Sequence, residues 1–95
     1  MGNERTPIRG KGWTRKSSIS SAKFEVVSRA ILASLTTAPI TFTELVARVG
    51  ARLRDFDGSV AWYTISCARE LEVRGQLLRH ARPVRYSRPP RKRSR

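Results

Sequence analysis

The stretch that decides the fold is DGSVAWYTISCARELEVR, which runs from Asp57 to Arg74. At about 3.6 residues per helical turn, its side chains divide between two opposite faces. Asp57 or Ser59 can cap the first free amides, and Gly75 can end the helix in the left-handed conformation. The sequence therefore predicts one amphipathic helix with a signal at each end. Its packing face holds Val60, Thr64, Cys67, Ala68 and Leu71, and its open face holds Trp62, Ser66, Arg69 and Val73.

Two short extended runs follow this helix. They are Leu77–His80 and Val84–Ser87, and the segment Ala81-Arg82-Pro83 between them predicts a β-hairpin with Arg82 at its tip. Strand alternation predicts an apolar underside and a cationic outer side that suits a phosphate backbone. The underside would hold Leu78, His80, Val84 and Tyr86, and the outer side Arg79 and Arg85.

Two further helices are predicted before residue 57. Thr41 as N-cap with Glu44 forms a capping box, and Ile40 with Leu45 forms a hydrophobic staple, so one helix begins here. Gly50 is expected to weaken that helix and could end it early. The other helix lies within residues 20–35, where apolar side chains recur at spacings of three and four. These side chains are Phe24, Val27, Ile31 and Leu35.

Three helices followed by a hairpin predict a mainly α (α+β) fold of the winged helix-turn-helix type. In this fold the second and third helices form the helix-turn-helix, and the hairpin is the wing. The chain has 95 residues, which is enough for one small core and one domain, expected over residues 19–87.

The formal net charge of +13 is concentrated at the two ends of the chain. Residues 1–18 carry +4 and residues 81–95 carry +7, whereas the longer segment 19–80 carries only +2. We expect a disordered basic arm over 1–18 and a disordered basic tail over 88–95, because both are poor in apolar residues. Basic arms beside a folded module are typical of polyanion binding, with nucleic acid as the leading partner. Arms that serve only solubility are the alternative, and a membrane surface is disfavoured because the arms have no apolar face.

The sequence contains no pattern typical of an enzyme. It has no nucleophile and base set and no glycine-rich phosphate loop. Asp55 and Asp57 lack the further ligands of a calcium loop, and His80 has no second ligand at zinc spacing. We therefore predict a protein without catalytic activity, metal or cofactor. A single cysteine, Cys67, and the lack of a secretory or membrane-spanning segment predict a cytoplasmic, nucleoid-associated location.

The predicted third helix would enter the major groove of double-stranded DNA with its N-terminal residues toward the base edges. Among its residues only Arg69 offers a bidentate contact to guanine, so modest sequence specificity is expected. For Trp62 and Tyr63, packing against the rest of the protein is an open alternative. The candidate contacts are Ser59, Trp62, Tyr63, Ser66 and Arg69 on this helix, Arg79, Arg82 and Arg85 on the wing, and Lys11, Arg15 and Lys16 on the arm.

Three blocks of the chain carry a family resemblance. FTEL at 42–45, FDGSVAWY at 56–63 and ELEVRG at 70–75 resemble a family of small bacterial winged-helix proteins of uncharacterised function. In that family a Gly-Ser-x-x-Trp-Tyr helix start leads to a Leu-Glu-x-Arg-Gly end and a wing. The resemblance covers about residues 20–87 and implies the fold and a DNA-binding role, as a transcriptional regulator or nucleoid-type binder. The segment ISCAR at 65–69 departs from the family pattern, so the base-facing residues are not carried over.

Two other functions stay open from the sequence. A short basic chain with flexible arms also suits an RNA- or ribosome-associated protein, since arginine-rich segments often fold on RNA. Alternatively, the winged helix could serve as a protein-interaction module that uses the face around Trp62 and Tyr63. A homodimer is left open, because no heptad or additional helix marks an interface.

Overall fold

A computed structural model describes residues 4–8, 17–54, 56 and 58–90. The described residues form three helices and two small antiparallel strand pairs in a compact α+β arrangement. Within this part of the chain, the helices are too short and too polar to cross a bilayer. In chain order the elements are β1 (Arg5–Ile8), β2 (Ser17–Ser20), α1 (Ser21–Ser34), α2 (Phe42–Arg52), α3 (Val60–Val73), β3 (Leu78–His80) and β4 (Arg85–Ser87).

The helix starts follow the predicted capping residues. Thr41 Oγ1 accepts a hydrogen bond from the Glu44 amide at 3.1 Å, and Ser59 Oγ accepts one from the Trp62 amide at 3.1 Å. Each bond satisfies an amide that has no partner within its helix. Gly50 does not end α2, which continues to Arg52. The capping and packing of α2 therefore outweigh the low helix propensity of this glycine.

The end of α3 is fixed by Gly75, as predicted. Gly75 has a φ of +79°. Its amide donates to the Glu72 carbonyl at 3.0 Å, and the Gln76 amide donates to the Leu71 carbonyl at 2.9 Å. This pair of bonds is the Schellman arrangement, which requires a left-handed residue after the helix.

The core lies between the three helices and confirms the predicted apolar stripe of α1. On α1 the side chains of Phe24, Val27 and Ile31 are buried, and on α2 those of Leu45 and Val49. The packing face of α3 is also buried, except at the partly exposed Val60. Its buried members are Thr64, Cys67, Ala68 and Leu71.

The N-terminal strand pair was not predicted. The sequence indicated a disordered arm over 1–18, which is wrong for Arg5–Ile8, where β1 pairs with β2 and contacts α1 and α3. Ile8 and Ile19 are buried in the common core, and Arg5 Nη2 donates to the Ser18 carbonyl at 2.8 Å. The arm could not bury enough surface alone. The strand Arg5–Ile8 is ordered because Ile8, with Ile19 of β2, joins a core that the helices already form.

The C-terminal hairpin is present, and Tyr86 is buried and Arg85 exposed as predicted, but the faces of β3 differ from the prediction. Arg79 lies opposite Tyr86 in the ladder, and directly opposed residues share a face. Tyr86 is buried, so Arg79 is on the core side and only half-exposed, while Leu78 and Val84 are 38% and 39% exposed. The predicted apolar underside is therefore confirmed for Tyr86 and wrong for Leu78 and Val84. The register between the two strands differs from the predicted one by one residue, which moves the β3 side chains to the other face relative to Tyr86.

An isolated bridge joins this hairpin to the segment before α2. The Ile40 amide donates to the Tyr86 carbonyl at 2.9 Å, and the Tyr86 amide donates to the Ile40 carbonyl at 2.8 Å. The rings of Phe42 and Tyr86 lie 6.0 Å apart at 56°. The hairpin is thus held against the start of α2.

The predicted disordered tail is wrong at its first residue. The Arg88 amide donates to the Thr36 carbonyl at 2.8 Å. The Arg88 side chain binds the carbonyl of Leu32 through Nε at 2.9 Å and through Nη2 at 2.6 Å. Residues 91–95 lie outside the described residues.

Three arginine side chains donate hydrogen bonds to backbone carbonyls at the carboxyl end of α1. This helix has no basic residue in its own last turn. Cationic donors at this end bind carbonyls that lack a partner within the helix and complement the helix dipole. Part of the positive charge therefore has a structural role that the sequence did not indicate. Arg88 donates to Leu32, Arg52 donates to Ala33 at 3.3 Å, and Arg48 donates to Ser34 at 3.1 Å.

Candidate nucleic-acid interface

Gly58 and Tyr63 form the base of the surface at the start of α3. Gly58 has a φ of +136°, and a Cβ added there would lie 2.7 Å from Tyr63 Cε2. The Phe56 and Tyr63 rings meet edge to face, with centroids 5.1 Å apart at 83°. The residue type at 58 thus permits the close approach of the Tyr63 ring.

Lys23 of α1 holds the other side of Tyr63. Its Nζ lies 5.2 Å from the centroid of the Tyr63 ring and 5.7 Å from that of Phe56. The same Nζ is 3.5 Å from Tyr63 Oη. Tyr63 is half-buried, so the packing alternative describes this residue. Its ring acts as a fixed support rather than as a free contact for a base.

Trp62 lies next to this support and faces the solvent. It is 47% exposed, and its ring meets that of Tyr63 edge to face at 4.9 Å and 83°. The neighbouring Ser59 is exposed, but its hydroxyl caps the Trp62 amide. Trp62 is therefore the large apolar side chain that the first turn of α3 offers to a partner.

Two other predicted contacts on α3 are less accessible. Ser66 is buried, which contradicts its assignment to the open face, and Arg69 is half-buried. The unpredicted strand β1 packs against α3 as well as α1. The buried side of α3 is also wider than predicted, since it includes Ser66 and Glu70.

The β3–β4 hairpin presents two of its three arginines to solvent. Arg82, at a φ of +57°, and Arg85 are exposed, whereas Arg79 Nε is buried and has no hydrogen-bond partner among the described residues. Lys11, Arg15 and Lys16 lie outside the described residues. The pairing of Ile8 with Ser17 nevertheless joins both ends of segment 9–16 to the domain.

Glu70 and Arg74 were not recognised as a pair in the sequence. Arg74 Nε lies 2.8 Å from Glu70 Oε2, and the Glu70 side chain is only 1% exposed. The Arg74 guanidinium also lies 4.8 Å from the Phe24 ring centroid. Opposite charges four residues apart on a helix are the signal that could have revealed this contact. The pair stabilises the end of α3. It lies two or more helical turns after Trp62 in the sequence.

Cys67 and His80 have structural positions. His80 Nε2 lies 2.8 Å from Ser87 Oγ across the hairpin. Burial raises the pKa of the Cys67 thiol from 9.0 to about 12, and the nearby Ser28 hydroxyl lowers the pKa by less. Within the described ranges, no group of three or more His, Cys, Asp and Glu side chains is placed to hold a metal ion.

Alkaline pH is expected to destabilise the protein through Cys67. Between pH 9 and 12 the unfolded chain loses the thiol proton while the folded chain keeps it. The free energy of unfolding should therefore fall by about 1.4 kcal/mol per pH unit from this group. Urea unfolding across this range should show the extra slope in the wild type relative to Cys67→Ala. Equal slopes for the two proteins would contradict the buried, protonated thiol.

The fold and surface together define a small basic α+β protein with an exposed tryptophan at the start of α3 and exposed arginines on its C-terminal hairpin. The chain belongs to a family of unknown function (DUF6958), whose model matches residues 7–86. That match extends from β1 to β4 and so includes the N-terminal strand pair. No curated protein and no solved structure matches the chain.

Proposed function

We propose that the protein binds double-stranded DNA as a winged helix-turn-helix, with α3 toward the major groove and the β3–β4 hairpin as the wing. The order of three helices and a hairpin supports this topology. The bridge between Ile40 and Tyr86 holds the wing against the start of α2, and α2 packs against α3, so α2 links the two parts proposed to contact DNA. Docking two rigid elements on one duplex requires such a fixed relation.

The observation that carries this proposal is the cationic tip of the wing. Arg82 and Arg85 are exposed on a hairpin anchored by the buried side chains of Leu77 and Tyr86. Arginines held in this way can contact phosphates on both sides of a groove without ordering a flexible segment first. The net charge of +13 supports the same class of partner.

The role that follows is binding rather than catalysis. Phosphate contacts would dominate the affinity, because α3 offers one half-buried arginine and few hydrogen-bonding side chains to the base edges. A nucleoid-type binder or transcriptional regulator of modest specificity, acting in the cytoplasm, fits this balance. RNA is the competing partner, and the same titration separates the two.

The test is a fluorescence-anisotropy titration of the full chain with a DNA duplex and an RNA duplex of matched sequence across a salt series. The expected result is tighter binding to DNA, with an affinity that falls steeply as salt rises. Tighter binding to the RNA duplex would favour the RNA alternative. Absence of binding to both duplexes at low salt would refute the proposal.

The wing variants are Arg82→Gln and Arg85→Gln, and the charge-matched control is Arg29→Gln on the exposed side of α1. Each wing variant should reduce the slope of log affinity against log salt by about 0.9, because one phosphate contact is lost. Arg29→Gln should leave the slope near that of the wild type. An equal effect at all three positions would show that the wing is not the contact surface.

A further inference from the structure

The exposed surface of the first turns of α3 is more apolar than the sequence suggested. The hydroxyl of Ser59 caps the helix, Tyr63 is packed against Phe56, and Ser66 is buried. Beyond the capping Ser59, Ala61 and Trp62 are the exposed side chains of this segment, and Arg69 lies two turns after Trp62. A major groove approached by this end of α3 would meet an indole ring first.

We infer that Trp62 recognises the 5-methyl group of thymine in the major groove and gives the protein a preference for A·T base pairs. This inference rests on the proposed function. Thymine's methyl is the apolar group among the donors and acceptors of the major groove, so it is the feature that an indole can contact without leaving polar groups unpaired. The N-terminal residues of a recognition helix are the ones that reach base edges.

The packing around Trp62 favours a specific contact over nonspecific hydrophobic binding. Its ring rests on Tyr63 at 4.9 Å, and Tyr63 is held by Phe56 at 5.1 Å, by Lys23 and by the close approach to Gly58. A supported ring loses less conformational freedom on binding than a free one.

The test compares an alternating dA-dT duplex with the dA-dU duplex, which lacks only the thymine methyl groups. The full-length wild type should bind the dA-dT duplex about 3- to 5-fold more tightly, as expected for burial of one methyl group. Trp62→Ala should bind the two duplexes equally. Trp62→Phe keeps an aromatic ring at this position and should retain part of the preference.

The control is Val26→Ala, which removes an apolar side chain of similar exposure, 48%, from α1 and should leave the preference intact. Equal binding of both duplexes by the wild type would overturn the inference while leaving the proposed DNA binding in place. A Trp62-dependent preference for single-stranded DNA would also overturn it, in favour of base stacking. Absence of duplex binding would refute the proposed function together with the inference.

Discussion

Replacement of Arg74 by methionine is expected to lower the free energy of unfolding by about 2–4 kcal/mol. Arg74 Nε lies 2.8 Å from a Glu70 carboxylate whose side chain is 1% exposed. Loss of the guanidinium removes a positive charge that lies against this buried carboxylate. The expected loss is below that of a fully buried pair, because the Arg74 side chain is 40% exposed. Methionine still covers the Phe24 ring, so the loss reports the charge rather than the packing.

Urea unfolding followed by circular dichroism measures this difference. The matched control is Arg48→Met, which breaks an ion pair of the same spacing and the same 2.8 Å length to Glu44. The side chains of that pair are 42% and 51% exposed, so its loss should be about 1 kcal/mol, including the hydrogen bond to Ser34. Adding Glu70→Gln to Arg74→Met should recover part of the stability. Equal losses for the two arginine variants would contradict the importance of burial.

The helices could be predicted because their signals are local. Thr41 and Ser59 cap α2 and α3 in the structure as the sequence indicated, and Gly75 ends α3. A cap depends on residues within one turn, and an apolar stripe depends only on helical periodicity. Both can be read without knowledge of the tertiary contacts.

The strand pairs depended on contacts that the sequence does not show. Ile8 and Ile19 are ordered by a core built from distant residues, and composition alone could not reveal that core. For the second hairpin, the positions of the strands and the burial of Tyr86 were predicted, but the β3 residue that shares its face was not. The pairing of Arg79 with Tyr86 and the bridge from Ile40 determine which face is buried, and both are nonlocal.

The sequence predicted a set of contact residues for the candidate site. In the structure some of these residues are exposed and others are buried. Trp62, Arg82 and Arg85 are exposed, Tyr63 is a packed support, and Ser66 belongs to the core. Helical periodicity assigns angles around an axis but does not show how many neighbours pack against the helix. The unpredicted β1 strand supplied the additional neighbour of α3.

Gly58→Ala is expected to lower the free energy of unfolding by about 2–4 kcal/mol. Two effects add at this position. An alanine at a φ of +136° is strained, and its Cβ would lie 2.7 Å from Tyr63 Cε2, so the ring must move. Because Trp62 rests on Tyr63, the near-ultraviolet circular dichroism of the aromatic side chains should change as well.

Gly75→Ala separates the two effects. Gly75 also has a positive φ, of +79°, but a Cβ added there meets nothing within 4 Å among the described residues. Only the backbone strain of an alanine remains, so its loss should be about 1 kcal/mol and its aromatic signal should match the wild type. Urea unfolding of both variants gives the comparison. If the two losses are equal and the aromatic spectra agree, the contact between residue 58 and Tyr63 does not position Trp62. A larger loss at Gly58 with an altered spectrum would tie the stability of the α3 start to the ring that faces the proposed DNA partner.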